Sequence, residues 1–309
     1  MAGKILVFGS YVVDLMARAP HLPAPGETVL GSFFQMGPGG KGFNQAVAAH
    51  LAGGQVTMAT KIGDDMFGKH ALDYMAKIGM DSGRMIVTDQ YASATALILV
   101  DENTGENSIV VTPDACGQIT AAEVDALGNE ISGSDYLLTQ LEINIDANER
   151  AMYRAKEAGV QVVLNPAPVQ SMSEALYGAV DLITPNEAEA QGLTGIAIET
   201  EADAARAADF FFERGVKRVI ITLGERGAFV ADGTDQRIVP GFKVEALDTT
   251  GAGDAFNGGL LAALAEGRDI WEATVFAHAT AALSVQKLGT SVAMPTRAEI
   301  DAFLARETP

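Results

Sequence analysis

Short apolar runs alternate with Ala-rich stretches of helical period along most of the chain. The runs at 4–9, 56–62, 136–141, 161–165, 182–184 and 218–223 close on turn signals such as Gly, Asn or Pro and read as buried strands. Between them, 44–52, 67–78, 147–158 and 201–214 carry apolar residues at helical spacing. Residues 255–266 and 271–285 predict two more helices, the first stopped by Gly267. Near-continuous apolar strands alternating with amphipathic helices predict an α/β fold: a central, mostly parallel sheet flanked by helices on both faces.

Two stretches break this rhythm. Residues 28–36, after Pro23-Ala-Pro-Gly26, have the aromatic and β-branched content of a strand. Residues 95–100 and 108–112 flank the turn-rich Asp101-Glu-Asn-Thr-Gly-Glu106 and predict a hairpin. Extended segments without crossover helices predict a small antiparallel sheet, either a lid over a site or an edge extension of the main sheet. The expected division is a body of 1–11, 46–92 and 113–309 and a β-sheet lid of 12–45 and 93–112.

Charge narrows the partners. The chain has 309 residues and a formal net charge of 21 − 40 = −19. Its field repels polyanions, which argues against wholesale binding of nucleic acid or anionic membrane. Cys116 is the only cysteine. An internal disulfide is therefore excluded, and a reducing, cytoplasmic setting is expected. The opening apolar run turns at Gly9-Ser10, too soon for a signal core or a membrane span.

The strongest local motif is Asp248-Thr-Thr-Gly-Ala-Gly-Asp254, which opens an apolar helix. Glycines there let successive N–H groups converge, and the helix end adds positive partial charge, so Gly251, Ala252 and Gly253 can form an anion hole without a lysine. Asp254 is placed to act as a general base in phosphoryl transfer; the plainer reading is an ordinary helix N-cap. No Gly-Lys-Ser/Thr follows, so this is not a Walker loop. A second cluster, Gly37-Pro-Gly-Gly40-Lys41-Gly-Phe43-Asn44-Gln45, offers Asn44 as donor and acceptor for a sugar, or serves as a hinge. Polar residues recur after the strands: Asp14, Glu142, Asn165, Thr184, Asn186, Glu189 and Thr222, the last opening the turn that runs through Gly224 to Gly227. In open α/β sheets that edge binds ligands. The four histidines and Cys116 show no zinc-site spacing.

Together these residues resemble the ribokinase-like carbohydrate kinase family of phosphofructokinase-B type. The resemblance runs from Gly9-Ser10 to about Asp301. It includes Pro25-Gly-Glu-Thr-Val29, Gly39-Gly-Lys-Gly42 with Asn44-Gln-Ala46, Gly63-Asp-Asp65, Leu164-Asn-Pro-Ala-Pro168, Thr184-Pro-Asn-Glu187, Ile221-Thr-Leu-Gly224 and Phe276-Ala-His278. It implies a β-sheet lid, ATP and Mg²⁺, and phosphorylation of a sugar's primary hydroxyl. D-Ribose is the first expectation; another pentose, a ketohexose or a nucleoside are alternatives. From a different class, a non-catalytic sugar- or nucleotide-sensing protein remains open. On the same resemblance, Asp254 is the base and Gly251, Ala252 and Gly253 the anion hole. Asp14, Gly40, Lys41, Asn44 and Glu142 bind sugar. Asn186, Thr222, Gly224, Gly227, Gly253 and His278 bind ATP, and Glu189 handles Mg²⁺ through water. Asp248, Thr250, Ser284, Lys287 and Gly289 form a monovalent-cation loop, with K⁺ as activator. A homodimer through the lid follows from the resemblance and from apolar lid residues such as Val29 and Phe33.

Three departures bear on the sugar. Val12 stands where the family pattern has an Asn that hydrogen-bonds sugar, Phe43 replaces a small residue and is expected to narrow the pocket, and Asp114-Ala-Cys-Gly117 replaces Gly-Ala-Asn. Ala293 removes a polar side chain from the cation loop.

Overall fold

The computed structural model describes residues 3–307; residues 1–2 and 308–309, expected in the body, lie outside that range. In chain order the strands are β1 (Lys4–Phe8), β2 (Val12–Ala19), β3 (Phe33–Gly39), β4 (Gln55–Gly63), β5 (Met85–Thr88), β6 (Ala94–Asp101), β7 (Asn107–Thr112), β8 (Tyr136–Thr139), β9 (Gln161–Leu164), β10 (Leu182–Ile183), β11 (Arg218–Thr222), β12 (Ala228–Ala231) and β13 (Gln236–Val239). Nine of them form one sheet in the order β13-β12-β11-β10-β9-β8-β1-β4-β5. It is parallel from β5 to β11, and β12 and β13 add antiparallel at one edge. Apart from the edge strands β5 and β13, its strands are buried on both faces, each face against its own apolar cluster, as near-continuous apolar runs require.

The other four strands form a separate sheet, β3-β2-β6-β7, rather than an extension of the main one. Its register sorts the side chains. Met36, Leu15, Leu97 and Val110 pair in one row across all four strands, and Gly37, Asp14, Ala96 and Val111 form the next, on the opposite face.

Two local expectations change. The strand expected at 28–36 begins only at Phe33 and runs on to Gly39. Its partner β2 ends at Ala19, so 28–31 have no strand to pair with, and Leu30 is 88% exposed. The helix after the second glycine cluster is Lys41–Leu51, so it starts inside the 12–45 segment expected for the lid.

Candidate active site

The main sheet reverses direction of growth at β1, which lies between β4 and β8. Such a switch point opens a crevice at the carboxyl ends of the strands. Ser10, just past β1, donates through Oγ to Glu142 Oε2 at 2.5 Å, and the Lys41 backbone N–H donates to the same oxygen at 2.8 Å. Glu142 thereby ties together two of the four chain crossings between the body and the small sheet, those at Ser10 and Lys41. Gly40 sits at one crossing with φ 86°, and a Cβ there would lie 2.7 Å from the Val12 nitrogen. Only glycine fits.

Asp254 lies in the first turn of the Ala252–Ala265 helix. Gly251 precedes that helix in the left-handed region (φ 77°), and no side chain caps the end. The Ala252 N–H bonds the Thr249 carbonyl at 3.2 Å, while the next N–H groups of the first turn, Gly253 and Asp254, are left for a ligand, which fits an anion at this turn. The carboxylate is buried and doubly held: Asn44 Nδ2 donates to Oδ2 at 3.0 Å and Gln45 Nε2 to Oδ1 at 2.9 Å. Burial raises its pKa above the ordinary carboxylate value, Lys41 and the two amides oppose that rise, and Glu142 adds to it. For Lys41, burial pulls the pKa down, but Asp254, Glu142 and Glu189 outweigh it and the net shift is upward. A cleft is lined by Lys41, Asn186, Glu189, Thr222, the Gly251, Ala252, Gly253 turn and Asp254.

Asn186 and Glu189 form a reciprocal capping box on the Glu187–Thr194 helix: Asn186 Oδ1 accepts from the Glu189 N–H, and Glu189 Oε2 accepts from the Asn186 N–H, each at 2.8 Å. Glu189 Oε1 takes no part in the box, and the residue lines the cleft. Burial raises the Glu189 pKa. Among the described residues no three acid, Cys or His side chains gather as a direct metal cage. The donor set fits an ion held through water, not a dehydrated one. A continuous second cleft shares Asn186, Thr222, Ala252 and Gly253 and adds Gly224, Gly227 and His278. Burial depresses His278 to about 4, so it is neutral at pH 7.

On the lid side, Asp14, Asp248, Thr250, Gly289 and Thr290 line a third cleft beneath the small sheet. Thr290 Oγ1 donates to Asp14 Oδ2 at 3.3 Å. Burial pushes Asp14 up to about 7, the Thr290 bond lowers it, and Glu142 and Asp254 raise it further. Asp248 accepts from the Thr250 N–H and the Gly289 N–H, both at 3.0 Å, clamping two loops together. Ser284 Oγ is spent on the Ala281 carbonyl and Lys287 Nζ on Glu299, so any cation there would meet backbone carbonyls.

Phe43 corrects the sequence reading. It is fully buried, edge-on to Tyr11 with ring centroids 5.0 Å apart, and lines none of the three clefts. It fills core space behind the site and does not narrow a sugar pocket. Val12 is also buried, in the apolar cluster that includes Ala94, Ala96 and Cys116. Asp114 to Gly117 form a short 3-10 turn that buries Ala115 and Cys116. Gln45, Gln140, Thr290 and Ser291 were not singled out from the sequence, yet all bond into the site. For Gln45 a signal existed, its place beside Asn44; the other three carry none.

A carboxylate held by amides beside an uncapped glycine turn, between a lid and the strand ends of an α/β sheet, defines a class: phosphoryl transfer to a hydroxyl. The sequence model of the pfkB family of carbohydrate kinases matches residues 2–297, and the chain belongs to that family. It is 42% identical over 304 residues to the ribokinase of Haemophilus influenzae, covering 98% of this chain and 99% of that protein. The crystal structure of a Thermotoga maritima ribokinase superposes with a TM-score of 0.90 at 34% identity, covering 99% of this chain and all of that one. The structure of Arabidopsis thaliana ribokinase complexed with ribose and ATP also gives 0.90, at 27% identity, over 98% of this chain and 99% of that one.

Proposed function

We propose that this carbohydrate kinase transfers the γ-phosphoryl group of ATP to the primary hydroxyl of D-ribose. The observation that carries the mechanism is Asp254, a buried carboxylate with two amide donors and free lone pairs beside the Gly251, Ala252, Gly253 turn. Asp254 takes the hydroxyl proton as the oxygen attacks, and the turn's N–H groups stabilise charge on the transferring group. Asp14, Gly40, Lys41, Asn44 and Glu142 hold the sugar; Asn186, Thr222, Gly224, Gly227 and His278 hold the nucleotide. When bound with ATP, Mg²⁺ neutralises phosphate charge, and Asn186 and Glu189 would hold it through water. The loops clamped by Asp248 would take K⁺ on backbone carbonyls of Thr250, Ser284, Lys287 and Gly289.

The outer face of the small sheet supports a homodimer through the lid. Phe34 (65% exposed), Leu97 (53%) and Val110 (61%) present apolar surface there, while Val29 lies in the loop before β3. Among the described residues no helix is long and apolar enough to cross a membrane; with a single buried thiol, a cytoplasmic setting is our reading.

A 2-deoxy pentose is the second reading: Val12 stands where the family pattern has a sugar-bonding Asn and offers no hydrogen bond, although it is buried in the apolar cluster and lines none of the three clefts. The test is ADP release across pentoses, hexoses, deoxy sugars and nucleosides, with and without K⁺. Ribose-dependent release stimulated by K⁺ is expected. Sugar binding with no ADP release for any acceptor would instead support a sensor.

A further inference from the structure

We infer that Gln45 is a positioning residue, which together with Gln140 and Asn165 forms a buried amide relay that locks the Asp254 carboxylate in its proton-accepting orientation. This rests on the reading of Asp254 as the base.

The relay is continuous. Gln140 Nε2 donates to Gln45 Oε1 at 2.6 Å, and Gln45 Nε2 is shared between Asp254 Oδ1 and Asn165 Oδ1, both at 2.9 Å. Asn165 Nδ2 donates to the Thr184 carbonyl at 2.9 Å, and Thr184 Oγ1 to Asn257 Oδ1 at 2.6 Å. Asn257 Nδ2 then donates to the Gly253 carbonyl at 2.8 Å. The chain of bonds leaves Asp254, crosses the ends of β8, β9 and β10, and returns to Asp254's own helix. Every side chain in it is buried.

The direction of each bond follows from one charge. An ionised carboxylate can only accept, so Gln45 must turn its nitrogen to Asp254 and its oxygen to Gln140. Gln140 must then present nitrogen, and its own Oε1 is left buried with no partner. A packed core rarely tolerates such an orphan, and one is expected where a fold gives up local satisfaction for a site. Gln45 lines none of the clefts and is fully buried, so it reaches the reaction only through Asp254. Asn44 differs: it holds the other carboxylate oxygen and is itself fixed by Ser291. The charged groups around Asp254 are Lys41 from Gln45's own helix, Glu142 after β8, Asp14 on β2 and Glu189 on the Glu187–Thr194 helix. Three of the four repel the ionised form, which leaves the neutral amides to help hold it.

Gln45→Met keeps the length and removes the donor. In steady-state assays with ATP and ribose, kcat is expected to fall about 10- to 100-fold, the loss typical of one hydrogen bond to a charged group, with the sugar KM within about threefold. The acidic limb of the kcat–pH profile should move up by about one unit. Combined with Asp254→Asn, Gln45→Met should cost nothing further, because both act on one group. Gln45→Glu should be most impaired at high pH and recover relative to the unsubstituted chain as pH falls and the new acid protonates. Gln140→Met, which touches Asp254 only through Gln45, should give a smaller kcat loss in the same direction, and it serves if Gln45→Met does not fold. An unmoved pH limb with kcat kept within threefold, or a Gln45→Met loss that multiplies with the Asp254→Asn loss, would overturn the positioning role alone. Absence of sugar-dependent turnover in the unsubstituted chain would overturn the kinase reading beneath it.

Discussion

The Asn44 side-chain amide donates to Asp254 Oδ2 at 3.0 Å across a sequence separation of 210 residues. Ser291 Oγ completes the contact with a 2.6 Å bond to Asn44 Oδ1. Three segments thus meet at one carboxylate: the helix that leaves the lid, the glycine-turn helix and the 290–293 loop.

Asp254→Asn should lower kcat by about a hundred- to ten-thousand-fold, the range for losing a general base. Whichever way it turns, the replacement amide sets its own NH₂ group against one of the two donors, Asn44 Nδ2 or Gln45 Nε2, and its oxygen is too weakly basic to take the proton. Calorimetric binding of ribose and ATP should persist within a few-fold. Near-native turnover would remove Asp254 from the chemistry.

Asp14 gives the pH dependence a sign. Its pKa rises on folding from 3.8 to about 7, so between those values the folded chain holds more protons than the unfolded one. Stability from this group therefore falls as pH rises through that window. Asp14→Asn should raise the thermal midpoint at pH 8 and change it little near pH 3, while weakening sugar binding. In the unsubstituted chain the ribose KM should improve as pH rises through about 7, where Asp14 becomes an acceptor. A KM flat from pH 6 to 8 would separate Asp14 from the sugar.

The strands and the glycine-turn motif were legible because they are local: apolar runs ending in turn residues, and Gly-x-Gly-Asp opening a helix. β2 was not recognised because its inner face mixes Asp14, Met16 and Arg18, which hides the alternation of a half-buried strand. The misplaced start of β3 has a non-local cause, since only pairing with β2 decides where 28–39 becomes strand. Phe43 was misjudged for the same reason. Its position beside Asn44 suggested the pocket, but on a helix adjacent residues point about 100° apart, and Phe43 turns to Tyr11. Gln140 and Ser291 leave no trace in sequence because their roles exist only in the folded network.

The lid row Met36, Leu15, Leu97 and Val110 should be covered in solution by a second copy. Leu97→Lys places a charge in the middle of that row, where burial without a partner is costly. Sedimentation equilibrium at micromolar concentration should give a dimer for the unsubstituted chain and a monomer for the variant. A monomer in both cases would leave the apolar face unexplained by self-association.

Val12→Asn should shift acceptor preference toward ribose over 2-deoxyribose by about ten-fold in kcat/KM, because it adds a polar side chain two residues from Asp14 on the same face of β2. Val12 is buried among apolar residues, so the gain should come with a lower thermal midpoint. An unchanged ratio would place the sugar's discriminating hydroxyl elsewhere.

Gly253→Ala separates folding from catalysis at the glycine turn. A Cβ at Gly253 meets nothing within 4 Å, and its φ is not left-handed, so the fold itself does not demand glycine there. Alanine in a helix is favoured over glycine by about 0.5–1 kcal/mol, and the thermal midpoint should hold or rise. The open space is the cleft shared with Ala252, Asp254 and Lys41, where the transferring group must come against backbone N–H groups. A methyl group there keeps the phosphoryl group off those amides, and kcat should fall at least ten-fold with the protein fully folded. Gly251→Ala is the contrasting case. Its φ of 77° disfavours any side chain by about 1–2 kcal/mol, while its Cβ would make only an ordinary 3.5 Å contact with Thr290. That variant should lose stability as well as rate. If Gly253→Ala instead turns over normally, the anion hole does not lie at this turn.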